Sequence, residues 1–285
     1  MPLDSDSPIA PLDDHETPVP PPVIPLARPV SAVPASPHLD QPMLLMSRSR
    51  SGALLELVIF AGIILAFVFA VSGVAAAADH FGLIRSPQLT NLATALATGV
   101  WGFSAALVIV WATGGRAAGV GLTPRALGLN LLVGLGTLPV PFLAFYAGAG
   151  ILWLIHPPWI EMMQSNASRI TEMLPRLSPA AFLATSLWVG VWEEVVFRGF
   201  VLTRVRRLVG SWWPAVAITS VIFAVPHALG QVWVTILPLF LMAVAFSVIT
   251  IWRRSLIPAI IAHALFDFIQ LMFVFHGPYG RSPGA

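Results

Sequence analysis

From Ala53 to His276 the chain is a succession of apolar stretches broken by short polar or Pro/Gly-bearing pieces. Each stretch is close to the about 20 residues that an α-helix needs to cross a bilayer. The pattern predicts segments at 53–78, 90–112, 130–155, 179–203, 212–230, 231–252 and 256–276. Pro139 and Pro141 should kink the third. The fifth and sixth are separated only by Leu229-Gly230, the softest boundary of the set. Between the third and fourth, His156 to Ser178 carries Pro157-Pro158 and several polar residues. It reads as an interfacial loop with a short amphipathic helix over Ile160–Leu174. The fold class that follows is all-α: a polytopic integral membrane helical bundle of about seven to eight transmembrane helices.

The start of the chain is a different material. Met1 to Pro42 holds 12 prolines and six acidic residues. Such a segment cannot bury enough apolar area to offset its ordering entropy, so residues 1–50 read as a disordered Pro-rich tail. They lack the basic start and short apolar run of a cleavable signal peptide, which makes the first apolar segment a retained anchor. The remainder divides into N-terminal transmembrane helices with the interfacial loop (51–177), a core that carries the chemistry (178–276) and a short C-terminal tail (277–285).

Composition agrees with the pattern. Of 285 residues 57% are hydrophobic and 10% charged, against about 25% charged in a soluble domain. The lipid bilayer must therefore stand in for solvent over much of the surface. The absence of cysteine excludes disulfides, thiolate ligands and cysteine nucleophiles. A net charge of +2 gives no reason to expect nucleic acid as a partner. Arginine without lysine, together with abundant alanine, points to a GC-rich bacterial genome and hence to a bacterial inner (cell) membrane. Arg48, Arg50, Arg116, Arg125, Arg204, Arg206, Arg207, Arg253 and Arg254 fall on one side of a seven-span arrangement, and Arg85, Arg169, Arg176 and Arg281 on the other. The positive-inside rule then puts the N-terminus in the cytoplasm.

Ionisable groups at membrane depth are costly and mark function by default. From Ala53 onward the acidic residues are Glu56, Asp79, Glu161, Glu172, Glu193, Glu194 and Asp267. Three of these fall in loops, and Glu56 begins the first span, where its side chain can reach the interface. Glu193, Glu194 and Asp267 have no such escape. Neighbours on an α-helix point about 100° apart, so the two glutamates should face different surroundings. Glu194 and Arg198 have the favourable i, i+4 order of a helix ion pair. That leaves Glu193 as the free carboxylate, suited to general acid/base work in a dry site. A structural charge cluster is the blander reading. His227 alone would more often be a structural residue near a helix end, whereas His263 and Asp267 at i, i+4 share one face of the last segment. His15, His38, His80, His156 and His276 lie in tails, loops or span ends.

Glu193-Glu194-x-x-x-Arg198, Phe223-x-x-x-His227 and His263-x-x-x-Asp267 resemble, in order and spacing, the three motifs of the CPBP family of intramembrane metalloproteases. That family includes the type II CAAX prenyl endopeptidases and bacterial proteins often called the Abi family. The resemblance covers roughly Ser178 to Phe275. It implies that Glu193 activates a water to attack a peptide carbonyl, with His227 assisting. It implies further that His263 and the residue four later stabilise the oxyanion, and that Glu194 and Arg198 hold the first motif in place. The family commonly has asparagine where this chain has Asp267. An ionised aspartate cannot donate to an oxyanion, so Asp267 must be protonated, act through His263, or ligate a metal. Glu193, His227, His263 and Asp267 are also the candidate ligands for a divalent metal such as zinc. The histidines nevertheless sit on separate helices without HExxH spacing.

The expected function is intramembrane hydrolysis of a peptide bond in a membrane-associated protein or peptide. The rivals are a non-catalytic scaffold or immunity protein that retains the motifs, and a transporter built on the same buried groups. One geometric tension accompanies the prediction. Counting about 1.5 Å per residue, Glu193 and His263 fall nearer the cytoplasmic side and His227 nearer the other. The fifth helix must be short, tilted or shifted, or the span boundaries must move.

Overall fold

The structure, a computed structural model, describes residues 49–123, 126–230 and 232–276. The Pro-rich tail (apart from Ser49 and Arg50) and the C-terminal tail lie outside the described residues. Among the described residues every regular element is a helix. These are α1 (Arg50–His80), α2 (Pro87–Ala112), α3 (Leu127–Gly136), α4 (Pro139–Ile155), α5 (Pro158–Met173) and α6 (Pro179–Glu193). There follow α7 (Leu202–Val209), α8 (Trp212–Gly230), α9 (Ile236–Arg253) and α10 (Ile257–His276).

Local chemistry explains the starts and breaks. Ser49, Ser86 and Ser178 cap α1, α2 and α6, each side chain accepting a backbone N–H of the first turn. In the last two a proline follows the cap, where its fixed φ suits the first helical position. Pro139 does more than kink the third span: α3 stops at Gly136 and α4 restarts at Pro139. The amphipathic helix appears as α5, none of whose residues is buried.

Among the described residues six helical rods are long and apolar enough to cross a membrane: Arg50–His80, Pro87–Ala112, Leu127–Ile155, Pro179–Val209, Trp233–Arg253 and Ile257–His276. A shorter apolar helix, Trp212–His227, supplies the seventh expected segment. The protein is thus a polytopic helical membrane protein, and its many exposed leucines, valines and tryptophans face where lipid would lie.

Two expectations are corrected. The fourth rod does not end at residue 203 but continues through Val209, so Arg204 is a helix residue that turns inward. Glu56 does not reach for the interface. It is buried, and its Oε2 accepts from Arg204 Nε at 2.8 Å, while Arg204 Nη1 donates to Thr203 Oγ1 at 3.0 Å. α1 packs on α7 through this pair. The depth tension disappears with the longer rod: Glu193 is about as far from Val209 as His227 is from Trp212, the Arg-rich ends of their helices.

α10 lies at the centre, packed chiefly on α6 and then on α3 and α9. Its start is sunk into the protein. The turn Arg254–Leu256 is short, Arg254 adopts a left-handed φ of 53°, and Ser255 and Leu256 are buried. Leu256 N–H donates to the Gly121 carbonyl at 3.1 Å, so the short helical turn Ala117–Val120 and its exit plug this end.

Gly190 sets the α6–α10 crossing. A Cβ there would lie 3.1 Å from the Ile260 oxygen and 3.2 Å from the Ala264 nitrogen, both backbone atoms of α10. Gly190→Val should therefore push the helices apart and cost about 1–3 kcal/mol. This would be read as a lower unfolding midpoint in nanodiscs; an unchanged midpoint would mean that the crossing is not tight.

Candidate active site

Directly after Glu193 the rod changes its winding. Residues Glu194–Val201 form a π-helix, closed where Leu202 N–H bonds to the Phe197 carbonyl five residues back. Such wide turns are rare and concentrate at functional sites. The two glutamates face different surroundings, Glu193 a cavity and Glu194 the closed interior behind it, but they share one partner. Both meet His263, one at each ring nitrogen: Glu194 Oε1 lies 2.8 Å from Nδ1, and Glu193 Oε2 lies 3.8 Å from Nε2.

Glu194 is the tethered member. Its Oε1 also accepts from Arg198 Nη1 at 2.9 Å, and the two residues are 0% and 1% exposed. Arg198 Nη2 donates to the Ala243 carbonyl on α9 at 3.2 Å, and its guanidinium lies over the rings of Phe223 and Phe246 at 4.6 and 5.4 Å. A buried charge is tolerated when paired and hydrogen-bonded, and this one is held from three helices. Because the carboxylate can only accept, His263 donates from Nδ1 and presents Nε2 to Glu193 and to Asp267 Oδ2, the latter at 3.5 Å.

His227 comes from α8 and packs at a tilt against Phe223. Its Nδ1 lies 2.8 Å from the Phe223 carbonyl, so that nitrogen donates, and in the neutral ring Nε2 is an acceptor. Glu193, His227, His263 and Asp267 all line one cavity of about 300 Å³, walled further by α2, α4, α5 and α9. Glu194 and Arg198 stand behind it. The six side chains singled out by the motifs therefore converge, four on the cavity and two as its support.

The donor set suits a metal in kind but not in arrangement. Among the described residues no group of three or more His, Asp or Glu side chains is placed to hold an ion. Both nitrogens of His263 are turned to carboxylates.

Sequence reasoning passed over the small residues before the motif. Ser186, Gly190 and the glutamates recur at helical spacing on α6, and that signal was present. Phe223 stands in the second motif, but the other ring against Arg198, Phe246 on α9, leaves no comparable pattern.

The family model for type II CAAX prenyl endopeptidase Rce1-like proteins matches residues 175–269, which contain all six of these side chains. Residues 175–269 belong to that family. The CAAX-protease region thus spans α6 through most of α10, with α1 to α5 outside it. No curated protein and no solved structure matches the chain.

Proposed function

We propose that the chain is an intramembrane endopeptidase that cuts a peptide bond of a membrane-associated protein or peptide, and that Glu193 is its general base. One observation carries the reading: four ionisable side chains from three helices meet on a single buried cavity, with a fifth and sixth fixing their orientation. Glu193 takes a proton from a water as the water oxygen attacks the carbonyl carbon. His227, an acceptor at Nε2, orients that water. A proton shared between His263 Nε2 and Asp267 is available to the developing oxyanion, which answers how an aspartate can serve at that position. The bond to nitrogen then breaks, and the leaving amine receives the proton held by Glu193.

We place the protein in a bacterial inner membrane with a cytoplasmic N-terminus. Even with Arg204 turned inward, the arginine bias keeps its sign.

The test compares the termini of membrane proteins in cells carrying wild type or Glu193→Ala at equal expression. New termini confined to the wild type are expected. Identical sets from the two strains would favour the non-catalytic scaffold.

A further inference from the structure

A second cavity, of about 460 Å³, lies between the end of α1 and the start of α2, with Val71, Ala75 and Ala78 on one wall and Thr94 on the other. Its cause is in the sequence. The run Gly73-Val-Ala-Ala-Ala-Ala78 lacks the side-chain volume to fill the space beside α2. The buried residues of α1 are Ala53, Glu56 and Phe60, all toward its start, so its second half is packed on little. The stacked rings of Phe67 and Trp101, 5.1 Å apart, draw the two helices together past the deep end of the groove. This groove is separate from the ionisable cavity, which Leu92, Ala95 and Leu96 of α2 line instead.

The groove is polar at one end only. Arg85, in the loop between the two helices, is the single charged residue among the described residues that line it. Arg85 is exposed, and no described residue pairs with its guanidinium. Asp79, the carboxylate nearest to it in sequence, is exposed and does not line the groove. Ser86 lines it beside Arg85, and its Oγ accepts the Leu89 N–H, which leaves the hydroxyl proton to donate. At 1.5 Å per residue the groove runs about 10 Å from Ala78 back to Val71 and about 12 Å from Ser86 to Thr94. One leaflet of the hydrocarbon core is about 15 Å thick. A cation where two membrane-crossing rods end, above an apolar trough of that length, matches a lipid standing in one leaflet.

We infer that this groove is a binding site for one glycerophospholipid. An acyl chain lies along Val71, Ala75 and Ala78, and the phosphodiester oxygens accept from Arg85 and from the Ser86 hydroxyl. The inference stands apart from the peptidase reading, since no residue of the ionisable cluster takes part in it.

The test is native mass spectrometry of the full chain in detergent micelles, titrated with palmitoyl-oleoyl phosphatidylglycerol. One molecule should bind about tenfold more tightly than any further one, and Arg85→Gln should weaken that first binding about tenfold, the weight of one charge-assisted hydrogen bond. Palmitoyl-oleoyl glycerol has the same chains without the phosphate. It should bind wild type about tenfold less tightly than the phospholipid and be indifferent to Arg85→Gln. Ala75→Leu with Ala78→Leu fills the trough and should abolish the tight site, with an unchanged unfolding midpoint as the check that each variant is folded. Equal affinities for the two lipids, or an Arg85→Gln variant that binds as wild type does, would mean annular lipid only and overturn the site. Tight binding that survives the two leucines would overturn it as well. A dimer that the two leucines dissolve, with no lipid retained by wild type, would overturn it in favour of a second copy of the chain.

Discussion

Glu193→Gln should lower kcat/KM by about 10²–10⁴-fold, the range over which a positioned general base contributes, while the unfolding midpoint stays level or rises. The two readouts diverge because of how this carboxylate is held. Its nearest charged partner is 3.8 Å away, so little pairing is lost, and removing a charge from a dry interior relieves desolvation. Glu194→Gln should behave in the opposite way on stability, since Glu194 Oε1 serves both Arg198 and His263. Assays of purified protein in nanodiscs, with thermal unfolding on the same samples, separate the two. Retained cleavage in Glu193→Gln would remove it from the role of base.

The second large effect concerns stability. Arg198→Leu strips Glu194 of its counter-ion at a position that is 0% exposed. Breaking a buried pair from one side costs about 3–5 kcal/mol, enough to lose most of the folded protein. The double variant Glu194→Leu with Arg198→Leu removes both charges and should regain much of that stability, because apolar replacement of a buried pair is often neutral. Cleavage should stay lost in the double variant, since His263 Nδ1 has no acceptor left to fix its tautomer and tilt. The unfolding midpoints of the single and double variants decide the matter. A single variant as stable as wild type would mean that water reaches Glu194.

Much of this architecture can be read from the chain because span length and apolar content are direct consequences of bilayer thickness. The Ser-Pro pairs at 86–87 and 178–179 mark helix starts by the same local logic that acts in soluble proteins. The errors arose where charge and burial part company. Arg204 looks like the first residue of a basic loop, yet it is the inward partner of Glu56, and pairing across 148 positions leaves no local trace. That misreading shortened the fourth rod and created the apparent mismatch in depth between Glu193 and His227.

The motif side chains were legible as a set, but their mutual facing was not. Nothing in Val195-Val196-Phe197 announces that the winding changes there, and nothing local announces that both glutamates reach His263 on α10. The expected division of labour, with Glu194 tethered and Glu193 less constrained, agrees with the distances. Glu193 lines the cavity and Glu194 is buried behind it, and both nevertheless reach His263.

The π-helical stretch has one more consequence, which concerns phase. Two buried ion pairs hang on the same rod, Glu194–Arg198 within the stretch and Glu56–Arg204 just past it. Deleting Leu202 or Thr203, in the α-helical turn that leads to Arg204, would turn everything downstream by about 100° relative to Glu193. Arg204 would then swing away from α1 while the motif itself kept every one of its residues. The angular offset between the ionisable cluster and the anchor is therefore stored in the count of residues between them, and a chain can carry all three motifs intact and still be out of step.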